Sequence, residues 1–447
     1  MKRLLFKNLI AWKKDPQRKP LIVKGARQVG KTWLLKEFGK REFTETIYLD
    51  FEQQYRRLSP IFENDLTPKS IIKNISMVTG KSISINNDLL IFDEIQACPR
   101  ALSSLKYFSD EMPQMAIAAA GSLMGLAFNK TFYPVGKVNH LELFPLNFEE
   151  FLLAYENKPL YEEFSKSAET GTIASAAHQM LWEILTYYYV VGGMPGIAAL
   201  FFSQKPGTPE VLSAVRKRQK ELLVDYHQDY NKHSGKQNAL HIASVFENIP
   251  RQLSSYHDGS VQRYKFKDVL PHKKGLRDLA GPIDWLLKTG LVIKTDLINR
   301  AEIPLKAFSK ANMFKLYIFD TGLLGALLDI PPASLILQNY GITKGYFAEN
   351  YTACELRSLP EASLYSWKEK NSEIEFIREI GGVPIPIEVK AGSRTKAQSL
   401  RQYIAKYDPA TAVKITSRPL DLEGRIKNVP LYLTGKLDDL LGKKTFV

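Results

Sequence analysis

Residues 25–32 read Gly25-Ala26-Arg27-Gln28-Val29-Gly30-Lys31-Thr32 and match the pattern G-x-x-x-x-G-K-T at every fixed position. The apolar run Leu21-Ile22-Val23 before them is typical of a buried strand, and the apolar spacing of residues 33–38 predicts a helix after them. The two glycines allow a tight turn whose backbone N–H groups face a polyphosphate. We expect Lys31 to reach the outer phosphates of ATP and Thr32 to offer its hydroxyl to Mg²⁺.

A second apolar strand, residues 88–94, ends in the two carboxylates Asp93 and Glu94. A carboxylate at the end of a buried strand can hold the Mg²⁺ shell of a bound nucleotide, and Asp93 has this position. Glu94 is one residue further and points elsewhere, so it could orient or deprotonate the attacking water. Together with the glycine loop, this strand predicts a nucleotide hydrolase.

Strands and helices alternate over residues 1–155, which predicts an α/β fold with a mostly parallel sheet and helices on both faces. The strand candidates are Pro20–Gly25, Thr46–Phe51, Asp88–Ile95, Ala116–Gly121 and His140–Phe144. Ser122 follows the fourth of them, where the nucleotide phosphates would lie. It could sense the γ-phosphate, cap a helix, or do both.

The pattern becomes helical in residues 156–235, with a sharp break at residues 191–196. Residues 236–330 resemble a winged helix, a compact helical unit with a small β element. The helix candidates of these two regions are Gln179–Val190, Glu210–Asp229, Ile242–Leu253, Lys265–Leu270 and Pro282–Thr289, and the strand candidate is Leu291–Asp296.

The formal net charge is +14 and the sequence pI is near 9.4, which favours an anionic partner such as DNA. The basic residues of the winged-helix-like region are Arg251, Arg263, Lys265, Lys267, Lys273, Lys274 and Arg277. They could contact phosphates, but scattered lysines are also common on solvated surfaces, and both interpretations stay open. The two cysteines cannot form a disulfide framework. With no apolar run of about 18 residues, we expect no membrane partner and a cytoplasmic protein.

The last region, residues 331–447, is a further α/β unit with polar residues on two predicted strands. Alternation places Glu373 and Glu375 on one face of the first strand, and Glu388 and Lys390 on one face of the second. Two carboxylates and a lysine on neighbouring strands can bind Mg²⁺ and cleave phosphodiesters, and Glu349 could add a third carboxylate. An ordinary amphipathic hairpin in water would show the same alternation.

Taken together, these residues resemble the prokaryotic AAA-type ATPases that carry the C-terminal domain of unknown function 4143. The segments that carry the resemblance are Gly25–Thr32, Leu90–Gln96, Ala120–Ser122, Leu143–Phe151, Gly192–Pro195, Lys315–Leu324, Phe347–Asn350 and Ile387–Lys390. The resemblance implies an AAA-type P-loop core, a winged-helix-like module and a restriction-endonuclease-like domain. It implies that Lys31 and Thr32 bind ATP and Mg²⁺, Asp93 holds the metal, Glu94 is catalytic and Ser122 is the sensor. It implies a nuclease-like site of Glu349, Glu375, Glu388 and Lys390.

Two positions depart from the family pattern. Gly136-Lys137 stands where relatives usually have Gly-Arg, and lysine lacks the planar fork of arginine. Glu375 stands where aspartate is usual, and its extra methylene shifts the geometry that Mg²⁺ requires. The first change weakens a γ-phosphate contact at Lys137, and the second makes nuclease activity doubtful.

The sequence thus predicts a Mg²⁺-dependent ATPase that acts as a switch or motor on DNA or on a DNA-bound protein. The alternatives are an ATP-gated metal-dependent nuclease, a nucleotide-controlled protein-interaction switch without nucleic acid, and a nucleotide-binding protein with little turnover. A homo-oligomer would be in keeping with ATPases that complete their site with a neighbour's arginine, but no residue identifies itself as that arginine.

Overall fold

The protein is represented by a computed structural model that describes residues 1–122, 133–254, 263–271, 275–339, 341, 343–360, 363–369, 372–391 and 398–442. The chain forms two compact units, residues 2–144 with 288–290, and residues 145–287 with 291–447. The main segment of the first unit ends at residue 144, and the domain boundary at residue 155 stays a prediction. Leu146 already packs with the helical region, because its backbone N–H donates to the carbonyl of Gly193.

Five parallel strands form the sheet of the first unit, in the spatial order β2-β3-β4-β1-β5. The strands are β1 Leu21–Lys24, β2 Thr46–Asp50, β3 Leu89–Asp93, β4 Ala116–Ala120 and β5 Asn139–Glu142. The helices are α1 Phe6–Lys14, α2 Lys31–Glu42, α3 Tyr55–Leu58, α4 Pro68–Thr79 and α5 Pro99–Glu111. The α/β architecture predicted for this region is confirmed. Four of the five predicted strands contain the observed strand, and β5 begins one residue before the predicted His140–Phe144.

Every residue of β3 and β4 is buried, which is why both read as unbroken apolar runs in the sequence. A parallel sheet with helices on both faces brings the carboxyl ends of its strands to one edge, where ligands bind in this class of fold. The glycine loop after β1, the acids at the end of β3 and Ser122 after β4 all lie at this edge.

Helices dominate the start of the second unit. They are α6 Phe148–Leu153, α7 Lys158–Thr170, α8 Ser175–Val191, α9 Pro195–Phe202, α10 Pro209–Ser234, α11 Lys236–Ser254 and α12 Leu276–Lys288. Gly192 ends α8 with a φ of 73°, a left-handed conformation that favours glycine and accounts for the predicted break. In the described part of the chain, no helix is both long enough and apolar enough to cross a membrane.

A mixed seven-stranded sheet completes the second unit, in the order β12-β11-β10-β9-β8-β6-β7. The strands are β6 Val292–Ile298, β7 Ser309–Ile318, β8 Leu364–Glu369, β9 Ser372–Ile380, β10 Val383–Val389, β11 Ala412–Thr416 and β12 Ile426–Pro430. The helices here are α13 Thr321–Leu327, α14 Pro332–Ile336, α15 Thr343–Arg357, α16 Gln398–Tyr407 and α17 Leu437–Gly442. The predicted hairpin is the antiparallel pair β9–β10, joined at Gly381 and Gly382.

One sheet extends across the boundary predicted at residue 330, because β6 pairs in parallel with β8, which follows that residue. The boundary stays a prediction. One expectation needs correction. The helix predicted at Lys265–Leu270 is wrong, since residues 263–266 have no regular secondary structure and a turn follows. The basic and aromatic residues here alternate with a period of two, whereas a surface helix repeats its apolar positions every three to four residues. The winged-helix and restriction-endonuclease-like assignments stay predictions.

Candidate functional site

The glycine loop is shaped by the two glycines of its pattern. Gly25 has a φ of 145°, and a Cβ added there would lie 2.1 Å from the carbonyl oxygen of Leu143. Gly30 has a φ of 94° and immediately precedes α2. Between them, Ala26 and Val29 are buried, Arg27 is half-buried, and Gln28 is exposed with a φ of 65°. Only glycine fits both ends of this loop, so the pattern has a steric basis.

Lys31 is the first residue of α2 and is 6% exposed. Its Nζ donates to the carbonyl oxygens of Gly25 at 2.9 Å and Ala26 at 2.8 Å. An ammonium group has three donors, so among the described residues one remains for an anionic oxygen. Burial lowers the pKa of Lys31 to about 8, although the nearby carboxylates of Glu94 and Asp93 act in the opposite direction.

Asp93, at the end of β3, joins the loop to the neighbouring strand. Its Oδ2 accepts hydrogen bonds from the Thr32 hydroxyl at 2.6 Å and from the Tyr48 hydroxyl at 2.9 Å. Tyr48 belongs to β2 and was missed by the sequence analysis. Burial is the main cause that raises the pKa of Tyr48, and the negative charge of Asp93 adds to it. The hydroxyl therefore keeps its proton and stays a donor. The strand order β2–β3 brings it to Asp93, and nothing local in the sequence marks it.

The donor set around Thr32 and Asp93 fits Mg²⁺. This ion prefers oxygen ligands and is usually held by one or two protein groups together with phosphates and water. A hydroxyl and a carboxylate already in contact are such groups. Among the described residues, no set of three or more His, Cys, Asp and Glu side chains could cage a metal.

Glu94 adopts a left-handed backbone conformation with a φ of 47° directly after β3. Its backbone N–H donates to Oδ1 of Asp93 at 3.1 Å, and the amide of Gln96 donates to its carboxylate. A non-glycine residue in this region costs about 1–3 kcal/mol, and such strain concentrates at functional sites. Gln96 was quoted in the motif, but its contact with Glu94 was not foreseen.

Ser122 and Lys137, the other two residues of interest in the first unit, have different surroundings. Ser122 is half-buried two residues after β4, at the same sheet edge as Asp93. Lys137 forms an ion pair with Asp110 at the surface, with 2.5 Å between Nζ and Oδ1. Lys137, which stands where the family usually has arginine, therefore already pairs with a carboxylate, that of Asp110.

The predicted carboxylate cluster of the second unit contains a lysine that the sequence analysis did not include. The Nζ of Lys315, on β7, lies 2.8 Å from Oε1 of Glu349 and forms a second ion pair with Glu373. The Tyr317 hydroxyl donates to the same Glu349 oxygen at 2.5 Å. Burial disfavours the charged form of Lys315, but the negative charges of Glu349 and Glu373 hold the pKa of Lys315 well above its usual value.

The other half of the cluster is built by the hairpin. The Nζ of Lys390 lies 3.2 Å from Oε1 of Glu388 and 3.5 Å from Oε1 of Glu375. Burial raises the pKa of Glu375 to about 7, against the lowering effect of Lys390. The Oε2 of Glu388 is buried and has no hydrogen-bond partner among the described residues. The structure thus brings Glu375, Glu388 and Lys390 together as predicted, and Lys315 places a second ammonium beside Glu349.

The parallel sheet, the glycine loop and the Thr32–Asp93 contact define a P-loop nucleotide-binding protein. Family models match in three consecutive segments: an AAA domain at residues 17–152, a domain of unknown function (DUF8612) at 183–334 and a domain of unknown function (DUF4143) at 344–433. The chain therefore belongs to the AAA-type ATPases with a C-terminal domain of unknown function 4143. No curated protein is significantly similar to it.

Several solved structures are similar to this chain at low identity. The Walker-type ATPase PABY2304 of Pyrococcus abyssi is 13% identical, with 72% of this chain and 94% of that one covered and a TM-score of 0.43. The Orc1 protein of Aeropyrum pernix in complex with DNA is 12% identical, with 74% and 91% covered and a TM-score of 0.27. The STAND protein PH0952 of Pyrococcus horikoshii, which has a tetratricopeptide repeat sensor, is 14% identical, with 80% and 46% covered and a TM-score of 0.28.

Proposed function

We propose that this chain binds ATP with Mg²⁺ and hydrolyses it at the edge of the five-stranded sheet. The observation that carries the proposal is the 2.6 Å contact between the Thr32 hydroxyl and the Asp93 carboxylate, next to a buried lysine. Hydroxyl, carboxylate and ammonium are the side-chain groups that a Mg²⁺–nucleotide complex requires.

Each residue has a distinct role in this proposal. Bound Mg²⁺ would neutralise charge on the outer phosphates. The backbone N–H groups of residues 25–30 and the start of α2 face the phosphates, and Lys31 donates to an outer phosphate oxygen. Glu94 orients the attacking water and accepts its proton. Ser122 lies at the same sheet edge, where it senses the γ-phosphate.

Two substitutions test this division of roles. Lys31→Ala should abolish turnover and strongly weaken ATP binding, whereas Glu94→Gln should keep binding and lose hydrolysis. Lys40→Ala, at an exposed lysine of the same helix, and Glu111→Gln, at an exposed acid, are the matched controls. Phosphate release and binding of a fluorescent ATP analogue measure the two steps. Wild-type turnover by Glu94→Gln would show that its assigned role is wrong.

We further propose that nucleotide turnover serves as a switch or motor on DNA or on a DNA-bound protein, in the cytoplasm. The net charge of +14 supports an anionic partner, as do the basic residues Arg251, Arg263, Lys265, Lys267 and Arg277. Lys273 and Lys274 lie outside the described residues. DNA affinity of the full chain should fall steeply as salt rises, because phosphate binding releases counterions. Absent or salt-insensitive binding would favour a protein-interaction switch without nucleic acid.

An ATP-gated nuclease is the second candidate, favoured by the buried Oε2 of Glu388, which has no hydrogen-bond partner in the part of the chain that the structure describes. Lys315 and Lys390 oppose it, because they already supply positive charge where a catalytic metal would. We expect little or no nicking of supercoiled plasmid in Mg²⁺, with partial activity in Mn²⁺ if the site is only distorted. Robust Mg²⁺-dependent nicking that disappears in Lys390→Ala would establish the nuclease instead.

A further inference from the structure

Cations and aromatic rings alternate in the segment Arg263-Tyr264-Lys265-Phe266-Lys267, which has no regular secondary structure up to Phe266 and enters a turn at Lys267. The three cations are exposed, Tyr264 is 4% exposed, and Phe266 is half-buried. The segment therefore presents three positive charges to solvent and turns its aromatic rings toward the protein.

Contacts on both sides hold this segment in place. The backbone N–H of Tyr264 donates to the carbonyl oxygen of Phe314 at 2.7 Å. The side-chain amide of Gln252, on α11, accepts from the N–H of Lys265 at 2.8 Å and donates to its carbonyl at 2.6 Å. The Tyr264 and Phe314 rings are stacked, with centroids 6.3 Å apart. The segment is thus attached to the fold through its backbone, and its three cationic residues are exposed.

A cavity of 430 Å³ opens beside the charges. The segment lines one part of it, and Leu276 and Asn312 line another. This volume lies within the roughly 300–1,000 Å³ of ligand pockets. The cavity offers an aromatic ring from Phe266 and an amide from Asn312, next to three cations that can take phosphates.

We propose that the 263–267 segment and this cavity form a binding site for single-stranded nucleic acid. Arg263, Lys265 and Lys267 contact successive backbone phosphates, and one unstacked base enters the cavity against Phe266. This inference rests on the proposed function, in which nucleic acid is a partner, and it specifies that this nucleic acid is single-stranded. Single strands are favoured over duplex because a cavity takes a base only when that base is free of its pair, and aromatic rings bind bases by stacking.

The test uses the full chain and a fluorescent oligothymidine, titrated at several salt concentrations. Lys265→Ala/Lys267→Ala should weaken binding at least about 10-fold at low salt, and should reduce the slope of log affinity against log salt by about 1.4, the value for two lost phosphate contacts. Phe266→Ala should weaken binding about 10-fold without changing that slope. The double variant Lys166→Ala/Lys205→Ala removes two exposed lysines elsewhere and is the charge control.

Thermal melting confirms that each variant is folded, and ATP turnover of the wild type is measured in the same preparation. Duplex that competes as well as oligothymidine overturns the inference, as does wild-type binding by Phe266→Ala. Turnover without any oligothymidine binding overturns the inference and leaves the proposed hydrolysis intact. Absent turnover with intact, Phe266-dependent binding supports the site and contradicts the proposed hydrolysis.

Discussion

The carboxylate of Asp320 accepts a 2.6 Å hydrogen bond from the backbone N–H of Gly193, although 127 residues separate them in the chain. The carbonyl of Gly193 in turn accepts from the N–H of Leu146. These three residues come from three of the sequence segments that carry the family resemblance. The three segments therefore meet at one buried junction of the second unit, although they are far apart in the chain.

Gly193→Ala should destabilise the protein by about 1–3 kcal/mol. A Cβ at this position would lie 2.1 Å from the carbonyl oxygen of Leu146, so the backbone must shift. Gly196→Ala is the matched control, since a Cβ there meets nothing within 4 Å. Urea unfolding of both variants measures the difference. Equal stability of the two would mean that the junction is less tightly packed than described.

ATP affinity should decrease as the pH rises through about 8. The pKa of Lys31 is lowered to about 8 by burial, so the ammonium that binds phosphate is lost above this pH. Lys31→Arg should bind more weakly but with little pH dependence, because arginine stays charged. Titration of a fluorescent ATP analogue at about pH 7 and about pH 9 compares the two proteins. A wild-type affinity that is the same at both pH values would contradict this role.

Tyr48→Phe should reduce the affinity for Mg²⁺ in the presence of ATP by about 10-fold, since groups that orient a metal ligand typically contribute 10–100-fold. The hydroxyl of Tyr48 donates to the Asp93 oxygen that also contacts Thr32, and thereby orients it. Turnover measured against Mg²⁺ concentration separates this effect from a loss of maximal rate. Restoration of the maximal rate at high Mg²⁺ is expected, and a rate that stays low would assign Tyr48 another role.

Lys315→Met should destabilise the protein by about 3–5 kcal/mol, because it removes a buried ammonium and leaves the half-buried Glu349 and Glu373 without this positive partner. Changing both glutamates to glutamine in the same variant should recover much of the loss, because the uncompensated charges are removed. Urea unfolding of the single and triple variants tests this. A single variant as stable as the wild type would mean that Lys315 does not compensate this cluster.

The glycine loop, the acidic end of β3 and the strands of the parallel sheet could be predicted from the sequence. Each depends on local properties: two glycines permit the positive φ angles at positions 25 and 30, and continuous apolar runs follow from burial on both faces. Glu388 and Lys390 could be placed on one strand face for a similarly local reason, because side chains alternate between the two faces of a strand. The pairing of β6 with β8 across the boundary predicted at residue 330 could not be predicted, because it joins strands that are far apart in the chain.

Tertiary structure alone decided which side chains complete these sites. Tyr48 reaches Asp93 because β2 lies beside β3, and Lys315 reaches Glu349 because α15 and β7 pack together. Gly193 and Asp320 are far apart in the chain and meet only in the folded unit. Periodicity reports which face of an element is buried, but it carries no information on which distant element covers that face. The sequence by itself therefore determined the local chemistry of the nucleotide loop, whereas the partners that orient and neutralise its charged groups were decided by long-range packing.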